Sequence, residues 1–457
     1  MSESIKYYNS RFSVYLLILI AKFSLDSYLV STASKLRLIA DDYCNAGIVL
    51  KFGVLGASNF YYMNWNGFFT TNFLTSFYFG IMNNKDPYLF SLAALLLIEI
   101  LAWIIFMIIL REFTSKRIRI LFSGLLSSIF IIILISNGFG TVAGGFIYFI
   151  GWVTVAIGWT IPSLLSIIYL LIIINLDLSV KRKYKILYVS TFVFILGGTN
   201  LQIGMITLLS LLFLVGRILL KAYGTKIMDR DRLYLLLTQI ITLCISVFIA
   251  LLSPGGRHRS TIIAGNLQDF SLTKFLQFTI SDILYSIDQL NFIKISQIIM
   301  VGIFLGGVIR SLNLKNSKLV SNKVKGFDPL NLLIYFITLL IINTLLNFFS
   351  YAAKWHLIPL YISVILFLFM TSLIFGYTFF EKSRSYAVFI SLIAVIATCL
   401  YVIQMQNARN LIEIREQDWS IGKPVPYDEI GDIEIADGWI SRCRAEISQL
   451  EVNKRLI

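Results

Sequence analysis

The sequence predicts an all-α polytopic membrane protein, and three observations carry that prediction. Hydrophobic residues make up 57% of the 457-residue chain and charged residues only 14%, against about 25% charged in an ordinary soluble domain. Mean hydropathy is +0.80, more apolar surface than a water-soluble core can hide. The apolar residues also fall into long runs separated by short basic loops, which is the pattern of membrane-crossing helices of about 20 residues each.

The runs predict about eleven spans. They are Phe12–Ser31, Tyr88–Leu110, two within the charge-free stretch Ile120–Leu176, Ile186–Gly197, Leu201–Gly216, Leu233–Leu252, Phe292–Ile309, Leu330–Ser350, Leu357–Phe379 and Tyr386–Gln404. The polar, glycine-rich stretch from Asn137 to Gly145 divides the charge-free run. The Gly197-Gly198-Thr199-Asn200 segment is read as a hinge between two short spans rather than the middle of one long tilted helix, because a single helix would invert the charge pattern that follows.

Alternate loops hold 22 and 15 Lys plus Arg, the poorer set being spread over far more residues. The positive-inside rule places the richer set in the cytoplasm. The N-terminus is then cytoplasmic, and the long loops 32–87 and 253–290 and the tail 405–457 lie outside. Residues 1–404 are expected to form one transmembrane domain and 405–457 a small outer appendage. The location implied is the cell's inner (plasma) membrane, multi-pass. The net charge of +14 reflects those loops rather than nucleic-acid binding. The first apolar segment holds Lys22 and Asp26 and no small-residue cleavage site follows it, so it does not read as a cleaved signal peptide.

Polar chemistry is concentrated in the outer loops. Asp41-Asp42 is an adjacent carboxylate pair just after the first span. Three readings stand for it: a general base, a site for a divalent metal (Mg or Mn), or a helix start, where Asp is favoured by capping and by the helix dipole. The loop becomes aromatic at Phe60–Phe69, and Tyr61, Tyr62, Trp65 and Asn66 are candidates for contact with a sugar or a lipid chain, as well as for interfacial anchoring. The second loop opens Ser253-Pro254-Gly255-Gly256-Arg257-His258-Arg259. There Arg257 and Arg259 suit phosphate oxygens and His258 adds a hydrogen bond or proton, or the three are basic residues at a helix end contacting anionic headgroups. Lys354 and His356 sit in a short outer turn and offer further anion contacts, or belong to an interfacial belt. Asn200 and Gln202 at the hinge either bond a sugar or satisfy broken backbone.

Within the spans, Glu99 is a functional candidate by its position alone, whereas Lys22 and Asp26, four apart on one helix, are expected to pair. Cys44 and Cys443 lie on the same side and form a candidate disulfide. No P-loop, GxGxxG after a strand or GxSxG elbow is found. With two histidines in the chain, a zinc site is not expected.

Asp41-Asp42-Tyr43, then Trp65-Asn66-Gly67, then Pro254-Gly255-Gly256-Arg257-His258-Arg259 form a series that resembles the multi-spanning glycosyltransferases of the GT-C class, in particular a bacterial GT-C-like group with an "Asp-Asp-Tyr", a "Trp-x-Gly-Arg" and a "Pro-Gly-x-x-x-Arg" segment. Phe68 stands where that pattern has Arg, and Gln202 where an acidic residue is often found. The resemblance implies a polyprenyl-phosphate sugar donor and a lipid-linked glycan or protein acceptor. It also implies an outer-face site in which Asp42 or Asp41 is the base and the sugar inverts. Three other readings are open on the same residues: a polymerase or ligase of lipid-linked polysaccharide, a flippase or transporter of lipid-linked oligosaccharide, and, given Phe68, a non-catalytic assembly protein that retains the scaffold.

Overall fold

The computed structural model describes residues 2–34, 36, 41–82, 88–112, 114, 116–137, 149–150, 153–176, 182–225, 228–257, 292–313 and 358–379, together with 403, 406 and 410. It is all helical there. The helices are α1 (Ser2–Ala33), α2 (Asp41–Asn64), α3 (Phe69–Ile81), α4 (Tyr88–Ile109), α5 (Lys116–Asn137), α6 (Val153–Asn175), α7 (Arg182–Gly197), α8 (Leu201–Thr225), α9 (Arg230–Leu251), α10 (Phe292–Asn313) and α11 (Ile358–Phe379).

The chain is a polytopic membrane protein, but the expected span count is corrected. Among the described residues five helices are long and apolar enough to cross a membrane: Tyr15–Ala33 of α1, Leu89–Ile109 of α4, α6, α8 and α9. Within α5, α10 and α11 the apolar stretches Arg119–Ile135, Ile295–Arg310 and Tyr361–Tyr377 are shorter. For α7 the physical reason is length. A hydrocarbon core of about 30 Å needs about 20 residues at 1.5 Å rise, and α7, with 16 residues, begins Arg182-Lys183-Tyr184-Lys185 and so has a still shorter apolar stretch. The expected spans Leu330–Ser350 and Tyr386–Gln404 lie outside the described residues, as does nearly all of the tail 405–457.

The hinge is as expected: α7 ends at Gly197 and α8 begins at Leu201. Asn200 caps α8, its Oδ1 accepting from Ile203 N at 2.8 Å. The expected aromatic loop is instead two helices, α2 and α3, packed on each other. Gly53 breaks α2 at φ 69°, a left-handed conformation that glycine adopts without a steric penalty. Leu50, Phe52, Leu55, Phe73, Phe77 and Ile81 are exposed on this pair, which suits a headgroup-level position.

The core is built where α4, α5 and α11 meet. Phe106 lies edge-on to Phe130 and Phe369, with ring centroids 6.0 and 5.9 Å apart. Phe106, Phe130 and Phe369 are all fully buried. Helices α10 and α11 pack at backbone distance through Gly302, Gly306 and Gly376. A Cβ on Gly306 would stand 2.0 Å from Leu373 O, and one on Gly376 2.0 Å from Ile303 O. Small residues permit this approach inside a membrane, where dispersion rather than the hydrophobic effect holds helices together.

Candidate functional site

Segments far apart in sequence converge at one end of the bundle, where α1 ends and α2, α4, α6 and α8 begin. Helix α2 starts at Asp41, whose side chain is outside the described set. The next residue, Asp42, is 0% exposed. Its Oδ1 accepts from Thr154 N (2.8 Å) and Thr154 Oγ1 (2.6 Å), and its Oδ2 from Val153 N (3.1 Å). Those amides are the first of α6, and helix amides at that position have no partner of their own. One carboxylate therefore sits between two helix N-termini, at the positive end of both dipoles. Asn45, one turn along α2, donates to Thr154 Oγ1 at 2.6 Å. The carboxylate reads as a cap supplied in trans, and few of its lone pairs remain to take a proton from a substrate.

The same committed donors bear on the metal reading. N–H and O–H groups face both Asp42 oxygens, so their positive ends occupy the positions from which a cation would bind. Among the described residues no group of three or more His, Cys, Asp or Glu is placed to hold a metal. The surroundings of Asp42 suit a helix cap.

From Asp42 the contacts run along α6 to the hinge. Residues 156–160 form a π turn, and Pro162, four residues after Gly158, has no N–H to give to the Gly158 carbonyl. Asn200 Nδ2 donates to that carbonyl at 2.6 Å. The hinge is tied to the start of α3 by Thr70 N to Gly198 O (3.0 Å) and Thr71 Oγ1 to Thr199 O (2.5 Å). Asn200 and Gln202 are both buried, and Asn200 satisfies broken backbone at the hinge, the second of its two expected readings.

The two sequence motifs of the outer loops dock on each other. Asn66 organises the first: its Oδ1 accepts from Phe68 N (3.0 Å), and its carbonyl accepts from Asn72 Nδ2 (3.0 Å). Ser253 organises the second, which forms a turn of helix over 254–257. Its Oγ donates to Ala250 O (2.8 Å) and accepts from Gly256 N (2.9 Å). Glycine makes the docking possible. A Cβ on Gly67 would lie 1.7 Å from Ala250 O, and one on Gly255 2.7 Å from Tyr62 O and 2.8 Å from Asn66 N. Tyr62 OH bonds Ile249 O at 3.4 Å. Tyr61 is buried, Tyr62, Trp65 and Asn66 are half-buried, and Arg257 is exposed at the edge of the docked turns. His258, Arg259, Lys354 and His356 lie outside the described residues.

An apolar groove runs along α9, lined by Ile240, Ile241, Cys244, Ile245, Phe248, Ile249 and Leu252. It ends beside the Ser253–Arg257 turn. Cys244 carries a free thiol, whereas Cys44 at the polar end is disulfide-bonded. The expected partner of Cys44, Cys443, lies outside the described residues.

Near Asp42, Tyr78 donates to Phe90 O. Burial raises the Tyr78 phenol well above its ordinary value, and the Asp42 carboxylate raises it further. Sequence reasoning missed Asn45, Thr154, Gly158 and Ser253. Thr154 was visible only as a lone polar residue in an apolar run.

No family model matches this chain, and neither a curated protein nor a solved structure is detectably similar to it. The GT-C likeness therefore remains a resemblance of motifs.

Proposed function

We propose that the protein is a plasma-membrane glycosyltransferase that uses a polyprenyl-phosphate-linked sugar and works at the polar end of the bundle, on the extracytoplasmic side. The observation that carries the reading is the docking of the Trp65-Asn66-Gly67 turn on the Ser253–Arg257 turn, which directly follows the apolar face of α9 in the chain. An exposed apolar helix face followed in sequence by an exposed arginine suits a molecule with a long hydrocarbon chain and an anionic head. The docking of the Trp65-Asn66-Gly67 turn on that same turn brings aromatic side chains to the place where the donor's sugar would sit.

In this scheme Arg257 faces the donor phosphate and stabilises the charge that grows on it as the glycosidic bond breaks. An acceptor hydroxyl attacks the anomeric carbon from the opposite face. Its C–O bond forms as the sugar–phosphate bond breaks, the polyprenyl phosphate leaves with the bonding pair, and the hydroxyl proton passes to a carboxylate. Since Asp42 is committed to the start of α6, the proton acceptor is assigned to Asp41 and Asp42 becomes a positioning residue.

The test is sugar transfer in vesicles containing purified protein, a polyprenyl-phosphate sugar and an acceptor. Asp41→Asn should fold and lose transfer. Arg257→Ala and the groove-filling Cys244→Trp should each raise the donor KM about tenfold or more, about 1.4 kcal/mol of binding. Unchanged donor use in both of the latter variants would remove the donor assignment, and full activity in Asp41→Asn would remove the base.

A further inference from the structure

A second polar cluster lies in the middle of the bundle, away from the docked turns. Lys22 of α1 donates to Asp26 Oδ2 on the same helix at 2.5 Å, to a Glu99 carboxylate oxygen on α4, and to Ser128 Oγ on α5 at 3.1 Å. Ser128 Oγ in turn lies 2.6 Å from Asp26 Oδ1 and 3.4 Å from Glu99 Oε1. Glu99 is at the midpoint of the Leu89–Ile109 span, and Lys22 and Ser128 are well inside Tyr15–Ala33 and Arg119–Ile135. The cluster is therefore at mid-depth. Gly124 makes room for it: a Cβ there would stand 3.2 Å from Lys22 Cε.

The charges do not balance. One ammonium faces two carboxylates. Helices α6 and α11, which pack on α4 and α5, carry no charged residue in their sequences. The other charged residues of α5 are Lys116, Arg117 and Arg119 in its first turn. On α10, Lys294 and Arg310 lie near the two ends, and Arg310 Nη1 bonds Tyr377 OH at 3.4 Å. On α1, Lys6 and Arg11 precede the span. No described neighbour supplies the missing positive charge, and an uncompensated charge at that depth is strongly disfavoured.

We infer that Lys22, Asp26, Glu99 and Ser128 form a proton-binding site that holds one exchangeable proton between its two carboxylates. The proton restores neutrality: one ammonium, one carboxylate, one carboxylic acid. Ser128 bridges the two acid groups and passes the proton between them. Lys22 and Asp26 side chains are 25% and 28% exposed, while Glu99 is 13% exposed. The site stands independently of the transferase reading, because it uses no residue of the polar end.

Infrared difference spectroscopy of the protein in vesicles reads the carboxylic-acid carbonyl stretch directly. Charge balance predicts that Glu99→Gln and Asp26→Asn each abolish one such band, because either leaves a neutral Lys–carboxylate pair. Lys22→Met, with two acids and no cation, should roughly double it. The wild-type band should fade reversibly as pH is raised, whatever the sodium concentration. Size-exclusion profiles of the variants in detergent establish that they fold. Persistence of the band in either carboxylate variant, a band that does not respond to pH, or its removal by sodium at constant pH would each overturn the proposal.

Discussion

The polar end and the mid-depth cluster solve the same problem with opposite means. At the end, side chains answer backbone groups: Asp42 takes the first amides of α6, Asn200 takes the Gly158 carbonyl, and Ser253 caps its own turn. In the middle, where the helices' backbone groups are satisfied internally, Lys22, Asp26 and Glu99 answer one another. The difference has a consequence for chemistry. Backbone dipoles can satisfy a carboxylate without any counter-ion, so Asp42 can remain a structural anion. A cluster that relies on side-chain charge must add up, and an odd number of charges calls for a mobile one.

Substitutions separate the two regimes. The largest effect is expected for Asp42→Ala, which leaves the amides of Val153 and Thr154 buried without their acceptor. A loss of about 4 kcal/mol in detergent unfolding is expected, with Asp42→Asn losing less because an amide oxygen still accepts. An unchanged midpoint for Asp42→Ala would mean that the cap contributes nothing. Next is Gly67→Ala, whose methyl group would collide with the Ala250 carbonyl. The docked turns must part, at a cost of about 3 kcal/mol and with loss of any activity that needs both. Retained stability there would show that the turns are not in contact. Gly306→Ala pushes α10 from α11 and should destabilise by about 2 kcal/mol without altering the polar end.

The smallest effect is a pH dependence. The Tyr78 phenol is raised in the folded protein, so below the unfolded value of about 10 its contribution to stability is fully present. It is lost as pH rises through the unfolded value toward the folded one, because only the unfolded chain can ionise easily. Tyr78→Phe should flatten that alkaline decline, and an identical decline in the variant would refute the assignment.

Much of the bundle was legible in the sequence, for reasons that the residues make plain. The hinge at Gly197–Asn200 showed itself because a continuous helix would have put Arg217–Arg232 on the wrong side. The Lys22–Asp26 pair was legible from its i, i+4 spacing. Hydropathy misled at α7, where it took the basic first turn of a 16-residue helix for a separate loop. The aromatic loop proved helical because its apolar residues pack α2 on α3, a tertiary contact that local pattern does not report. For the site, sequence placed Asp41-Asp42, the aromatic turn and the Arg257 turn on one side, and the structure brings the last two into contact. It could not show that Asp42 caps a helix starting 111 residues later, or that Lys22 meets Glu99 across 77 residues. Both are long-range pairings with no local signature.

The most direct measurement is amide hydrogen exchange over residues 153–160 in wild-type protein and in Asp42→Asn and Asp42→Ala. If the carboxylate holds the start of α6, these amides are protected in the wild type. Protection then falls in the order wild type, Asn, Ala, while the rest of α6 is unchanged. Equal protection in all three would contradict the capping role and return Asp42 to the reacting group.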